Sequence, residues 1–375
     1  MSIDIIRVQN KSDLRKFIHL PAEIHKGHRN WVPPIYSDEW DFYNPKKNRA
    51  MSYSDTVLFL ALRNGKPVGR IMGIVNKRYN QIHNEKTARF FNLETYQDYD
   101  VAQALISEVE RWARALGMER LIGPMGFSDK DPQGLLIEGY DEPIVLASNC
   151  NFPYLVEYVN RYGFEKDVDL VVYKVPVPEK LPDFYLRILQ RVKARANGFR
   201  MLSFAKRSDI KPFIKPVLSL VNETFIDIYG FNPMDPDEME ELAAKYLSFI
   251  DPRFLKVIVN ADNQPLAFIL GIPDICPGIQ KSKGYLFPFG FIHVLKAMST
   301  SKMLSLLLGA IHPQYRNLGF DTWMGAEMLN EAQKAGMTII DSHLELENNR
   351  KMRAEMEKMG GVVYKRYRIF QKRLA

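Results

Sequence analysis

The sequence predicts an α+β protein made of two tandem copies of one unit, and three observations carry that expectation. Asp55 to Asn76 reads as a hairpin, TVLFLALR and KPVGRIMGIVN around Asn64-Gly65, since Asn-Gly between alternating apolar runs is a strong two-residue turn signal. Phe254 to Asp274, FLKVIVNADNQPLAFILGIPD, repeats the layout about Asp262-Asn263. Phe59 matches Phe254 and Pro67 matches Pro265, an offset of roughly 196 residues. Between the copies lies a proline-marked stretch, Val175 to Pro182, which divides the chain into residues 1–178 and 183–375. At 375 residues the chain is comfortable as two domains and can bury a large core.

The elements follow in order. After the first hairpin and FFNLETYQD, Val101 to Gly117 reads as an amphipathic helix with Ala104, Leu105, Val109, Trp112 and Leu116 on one side. A strand at MERLIGPMG, a helix at YLVEYVNRYGF and a strand pair around DLVVYKV complete the first half. In the second half an apolar run from Met303 ends at His312-Pro313, where proline cannot continue a ladder and the sheet must stop. A short loop, Gln314, Tyr315, Arg316 and Asn317, then reaches Gly319 and an amphipathic helix carrying Met324, Met328 and Leu329. MTIIDSHLEL reads as the next strand, ENNRKMRAEMEKMGG as a helix and VVYKRYRIFQK as the closing strand. A small, basic loop that opens a helix offers unpaired backbone N–H groups and the positive end of the helix dipole, which together suit a phosphate or diphosphate. The equivalent place in the first half has no glycine and no basic residue, only Tyr99 between Asp98 and Asp100, and acidic groups there would repel a diphosphate.

Arg316-Asn317-Leu318-Gly319-Phe320-Asp321 resembles the acyl-CoA signature of the GCN5-related N-acetyltransferases (GNAT), Arg/Gln-x-x-Gly-x-Gly/Ala, and the order of elements matches over roughly the last seventy residues. The resemblance implies two GNAT-like domains, each a mixed, mostly antiparallel sheet flanked by helices, with a degenerate first copy. It implies acetyl-CoA or another acyl-CoA as cofactor, held at Ile311, His312, Arg316, Asn317, Leu318, Gly319, Phe320 and Asp321, and direct transfer of the acyl group to a primary amine. Asn349 (or Asn348) falls where the family places a contact to the pantetheine arm; a helix cap is the rival reading. Two departures stand out: Asp321 replaces a second small residue, and Met356 stands where a tyrosine often protonates the departing thiolate. Tandem pairs occur among N-myristoyltransferases, FemABX peptidoglycan transferases and mycothiol synthase. NWVPP, FSDKDPQGLLIEGYDEP and GGVVYKRYRIF also resemble bacterial GNAT-like proteins of unassigned activity.

Composition narrows the class. Hydrophobic content of 46% and charged content of 25% are ordinary for a soluble protein. No uninterrupted apolar run reaches the ~18 residues of a membrane span, and the charged N-terminus does not read as a signal peptide. Cys150 and Cys276, far apart, fit a reducing cytoplasm. The net charge of +7 suits CoA, nucleic acid or an anionic membrane. The basic clusters Arg191–Arg200 and Lys365–Arg373 lack nucleic-acid-binding signatures, and in the second Arg366 and Arg368 alternate with Tyr367 and Ile369 as on a strand with one wet face. Gly284 to Leu308 is an apolar insertion that packs in the core, forms a tunnel for a long acyl chain, or rests on a membrane.

Acyl transfer needs a proton acceptor, a positioned thioester and a donor to the carbonyl oxygen. Glu223 and Asp227 in VLSLVNETFIDIYG, and Glu345 in LEL, are the candidate bases; solvated surface carboxylates are the alternative. Glu345 and His343, two residues apart, are expected on one face of a strand. Tyr364, or Tyr367, could replace the missing tyrosine as acid, or simply pack. Ser128, Asp129, Asp131 and Glu138 could face a cleft and touch the acceptor, or cap a turn. His25 and His28 have a spacing met in metal sites, but without a neighbouring Cys or carboxylate in sequence they read as a loop, so no metal is expected. The acceptor stays open between a small metabolite, a peptide, an amino sugar and a lipid amine. A long-chain N-acyltransferase acting on a lipid amine and a non-catalytic CoA-binding protein remain as alternatives, and nucleic acid is the weaker partner.

Overall fold

Near-continuous apolar runs build most of the long strands, which are buried along consecutive residues, and several turns between them are set by residues that tolerate left-handed backbone. The computed structural model describes residues 2–374 except 197 and 248. The first half runs β1 (Asp4–Arg7), α1 (Lys11–Ile24), α2 (Tyr36–Phe42), β2 (Ser54–Arg63), β3 (Lys66–Asn76), α3 (Lys77–His83) and β4 (Thr87–Thr95). It continues with α4 (Tyr99–Ala115), β5 (Arg120–Gly123), β6 (Leu135–Glu138), α5 (Pro153–Arg161) and β7 (Glu165–Pro176). The second half opens with α6 (Asp183–Arg195), β8 (Arg200–Ser203), α7 (Arg207–Thr224), α8 (Pro236–Leu247), β9 (Leu255–Val259) and β10 (Pro265–Pro273). Then come α9 (Cys276–Lys281), α10 (Gly290–Thr300), β11 (Met303–Ile311) and α11 (Phe320–Lys334). β12 (Ile339–Asp341), β13 (Glu345–Leu346), α12 (Arg350–Lys358) and β14 (Val362–Arg373) close the chain.

The strands form one sheet in the order β1-β2-β3-β4-β5-β14-β7-β12-β11-β10-β9-β8, with β6 on β14 and β13 on β7. Each half therefore shows the same run, antiparallel except for one parallel pair: β4/β5 in the first half, β11/β12 in the second. The repeat seen in the two hairpins is real at the level of elements. In the first, Asn64 and Gly65 both take positive φ, 52° and 74°, the geometry that a two-residue hairpin matched to strand twist demands.

The centre of the sheet is exchanged. β14, the last strand of the chain, lies between β5 and β7, and β7 in turn pairs with β12 and β13. Tyr367, Ile369 and Phe370 of β14 are fully buried there, while Arg366 and Arg368 bond carboxylates, so the alternation read from the sequence holds.

Three boundaries differ from expectation. Val175 and Pro176 close β7 by pairing with Ile340 and Ile339, so only the later part of the proline-marked stretch links the halves. Helix α4 ends at Ala115, and Leu116 is exposed; Gly117, at φ 73°, turns the chain away before the predicted stripe is complete. The apolar insertion ends before Met303, because Met303–Leu308 belongs to β11.

Candidate functional site

The parallel ladder of β11 and β12 has three pairings, the last Ser305 with Asp341, and beyond it the two strands part. β12 and β13 both pair with β7, but Asp341 faces Lys174 and Glu345 faces Val171, so four steps on one chain span three on the other. The extra residue makes a β-bulge, and His343 takes φ 57° within it. The expected single strand Met337–Leu346 is thus broken. Strict alternation no longer places His343 and Glu345 on one face, yet the bulge turns both toward the opening between the strands.

That opening leads into a cavity of about 430 Å³. Leu306, Leu307 and Leu308 of β11 form one wall, and His343, Leu344, Glu345 and Leu346 the other. Phe213, Ile214, Val217 and Leu218 of α7 and Leu242 of α8 close its far side, with Phe268 and Leu270 of β10. Met352 and Met356 of α12 add two flexible apolar walls, so the position expected to hold a tyrosine is core-facing methionine. From the first half come Asp129, Lys130, Asp131, Gln133, Leu146 and Ala147. Asp131 also accepts the Phe127 and Ser128 amides, so the turn-capping and cleft-facing readings of this loop hold together. Glu138 instead lies outside the cavity and pairs with Arg366.

Glu345 is the ionisable group this wall perturbs most usefully. Part-buried as a residue, it faces the cavity rather than bulk solvent, and burial pushes its carboxyl up from 4.5 to about 7, opposed by an Asn349 amide that donates to it at 3.3 Å. Asn349 also caps α12 by accepting the Met352 N–H, so it is a helix cap and a cavity-lining residue at once. His343 Nε2 lies 3.1 Å from the Leu146 carbonyl oxygen, which only a protonated nitrogen can bond. Burial, the largest influence, pulls its pKa down, while the Asp341 charge and the bond to the Leu146 carbonyl oppose it.

The other candidate bases fall elsewhere. Glu223, in the last turn of α7, is exposed and sits 3.7 Å from His312 Nε2; Asp227 is exposed beyond the helix; neither lines the cavity. Tyr364 also stays outside it. Its hydroxyl donates to Asp341 and accepts from Lys365 Nζ at 3.1 Å, and burial with the Asp341 charge pushes its pKa upward. Asp341 and Lys365 are fully buried, a polar cluster behind the bulge that sequence reasoning missed because its members come from two distant strands.

The loop after β11 has the features expected of an anion cradle. His312 Nδ1 accepts the Gln314 N–H at 3.3 Å, Pro313–Tyr315 form a 3-10 turn, and Asn317 and Gly319 take φ 68° and 81° around the exposed Leu318. Gly319 caps α11 without a side-chain acceptor, leaving first-turn amides unengaged by it; the buried Phe320 anchors the turn. A Cβ on Gly319 would lie 2.3 Å from Val192 of α6, so packing as well as φ demands glycine. Arg316 is exposed, and Asp321 accepts the Thr322 N–H at 2.8 Å. In the first half the matching helix end is already occupied: Asp98 caps α4 and pairs with Arg63 at 2.8 Å.

Away from this site, His25, His28 and Cys150 bring donor atoms within 4.8 Å of one another, so the expectation that the two histidines lack a nearby thiol is corrected by the fold. Glu94 accepts from His25 Nε2 at 3.1 Å, and the two Nδ1 atoms are 2.9 Å apart. A hydrogen-bond chain from His28 through His25 to Glu94 satisfies the pair, and the same donor set could hold a divalent ion.

No protein-family model matches the chain. Along 99% of its length it is 26% identical to the bacterial ceramide synthase of Caulobacter vibrioides, covering 98% of that protein. It is 24% identical to protein YghO of Escherichia coli K12 over 97% of this chain and 94% of the other. Among solved structures, a tandem GNAT protein from the clavulanic acid biosynthesis pathway superposes over 100% of this chain and 99% of its own, at TM-score 0.58 and 10% identity. A GCN5-related N-acetyltransferase from Sphaerobacter thermophilus gives 0.52 and 12%, covering 99% and 96%. Both halves are covered by these superpositions: the chain has the tandem GNAT fold.

Proposed function

We propose that the protein is an acyl-CoA-dependent N-acyltransferase that joins a long-chain acyl group to a lipid amine. The observation that carries this reading is the cavity behind Glu345, whose size lies in the ~300–1,000 Å³ range of ligand pockets and whose walls are mostly aliphatic and aromatic. An acetyl group would leave such a space unfilled, whereas a long chain gains by leaving water. The full-length relative named a ceramide synthase points the same way, since a ceramide is an N-acylated long-chain amino alcohol.

In this reading the amides at Gly319 and Phe320, with Arg316, face the diphosphate of the acyl-CoA, and Asn349 borders the thioester. Glu345 takes a proton from the ammonium of the acceptor. The amine lone pair attacks the thioester carbonyl, the C–N bond forms, the C–S bond breaks, and CoA leaves as a thiolate that takes a proton from solvent. Met356 offers no acid at that step.

The test compares palmitoyl-CoA with acetyl-CoA on the purified protein, using a sphingoid base and a short primary amine as acceptors. Long thioester and long base together should give the highest kcat/KM, and Val217→Phe should move the preference toward shorter chains. Equal use of acetyl-CoA, or binding of thioesters with turnover of no amine, would overturn the reading.

A further inference from the structure

Between Asp274 and Asp321 the sequence contains no Asp or Glu, yet carries Lys281, Lys283, Lys296, Lys302 and Arg316. At its centre the chain projects apolar side chains outward. Phe287 is 80% and Phe289 71% exposed, and Phe291, Ile292 and Leu295 of α10 are also exposed. α10 is not loose: Val294 packs with Ile275 and Ile279 of the α9 region, against Leu146. The helix is held firmly on one side and left apolar on the other. Scattered exposed hydrophobics are ordinary, but five within nine residues of sequence form a patch.

A second feature adjoins it. Tyr285, at the base of the projection, packs at 4.8 Å against Tyr36 with the rings tilted and lines an open concavity with Lys11, Arg15, His19 and Trp40. An aromatic tip flanked by cations, with acids excluded from the whole segment, is the composition of a surface that lies in a bilayer interface. No described helix is long and apolar enough to cross a membrane.

We propose that residues 284–299 and the Lys11–Arg15 face of α1 form a monotopic surface that rests on an anionic phospholipid bilayer. Phe287 and Phe289 enter the boundary between headgroups and acyl chains, and Lys11, Arg15, Lys283 and Lys296 lie at the level of the phosphates. Leu146 packs against the cluster that holds the inner side of α10 and also lines the cavity, so the docked helix and the apolar space share a residue. The inference stands independently of the acyl-transfer reading, because the binding it asserts needs no substrate.

The experiment is co-sedimentation of the full chain with phosphatidylcholine vesicles, with and without phosphatidylglycerol, at low and high salt. Binding should require the anionic lipid and weaken with salt. Phe287→Ser with Phe289→Ser should reduce it at least about ten-fold, and Lys11→Glu with Arg15→Glu should abolish its dependence on the anionic lipid. Both variants should melt with the wild type, and Ile82→Ser, which removes an exposed apolar residue elsewhere, should bind normally. The proposal fails if the wild type stays in the supernatant, if the phenylalanine variant binds as well, or if Ile82→Ser loses as much. It fails equally if the patch proves to hold two copies of the chain together in solution without sedimenting on vesicles.

Discussion

In the proposed mechanism, burial turns Glu345 from an ordinary carboxylate into a usable base. An acid with a pKa near the working pH is half ionised there and can accept a proton without first being stripped of strong partners. Activity should therefore rise with pH through about 7, where Glu345 becomes charged. Glu345→Gln should lower kcat by ~10²–10⁴-fold and erase that limb of the profile. Stability should move the other way. The folded carboxyl holds its proton between 4.5 and about 7 while the unfolded one does not, so raising the pH across that window favours the unfolded state. Discounted for partial exposure, the loss is on the order of 1–2 kcal/mol. Melting curves of wild type and Glu345→Gln at pH 5 and pH 8 check it: the wild type should lose more than the variant between the two. A variant with the wild type's slope would show that Glu345 titrates normally.

At the scale of elements, what was legible in the sequence was what is local. Asn64-Gly65 named its hairpin, Pro313 marked the end of β11, and the Arg316–Gly319 loop could be read because its backbone demands act within a few residues. The bulge at His343 was not legible, since it exists only because β12 and β13 must both register on β7, a strand from the other half. The cavity was hidden for the same reason, its walls being drawn from α7, α8, α12 and the loops on either side of β6. For the loop itself, calorimetry with CoA is the test. Arg316→Ala, at an exposed position, should leave the melting temperature unchanged and weaken CoA several-fold. Gly319→Trp should abolish binding, but it also collides with Val192 and should cost ~1–3 kcal/mol of stability. Arg316→Ala therefore separates lost recognition from lost packing, and CoA bound equally by both variants would move the site elsewhere.

For the whole molecule, the exchanged centre of the sheet governs how it can fold. β14 fills the place between β5 and β7, where Tyr367, Ile369 and Phe370 have no exposure, and β7 supplies the neighbour that β12 and β13 need. Residues 1–178 alone would expose the edge of β5 and the long edges of β7 and lose the core that Phe370 and Leu374 complete. Residues 183–375 alone would lack the strand against which the bulge forms. Open apolar edges favour aggregation over folding. The two halves, so alike in their own elements, should thus melt in one cooperative transition, and calorimetric and van't Hoff enthalpies should agree. Truncation after Gly361, which removes β14, should destroy the fold of the first half as fully as that of the second, although the deleted strand is the last to be made. If the truncated chain kept protected amides in β2–β4 at wild-type levels on hydrogen exchange, the first half would be self-sufficient and the shared strands a mere seam. If it lost them together with β9–β11, the two halves would be one folding unit, with β7 of the first half the template on which the bulge and Glu345 are set.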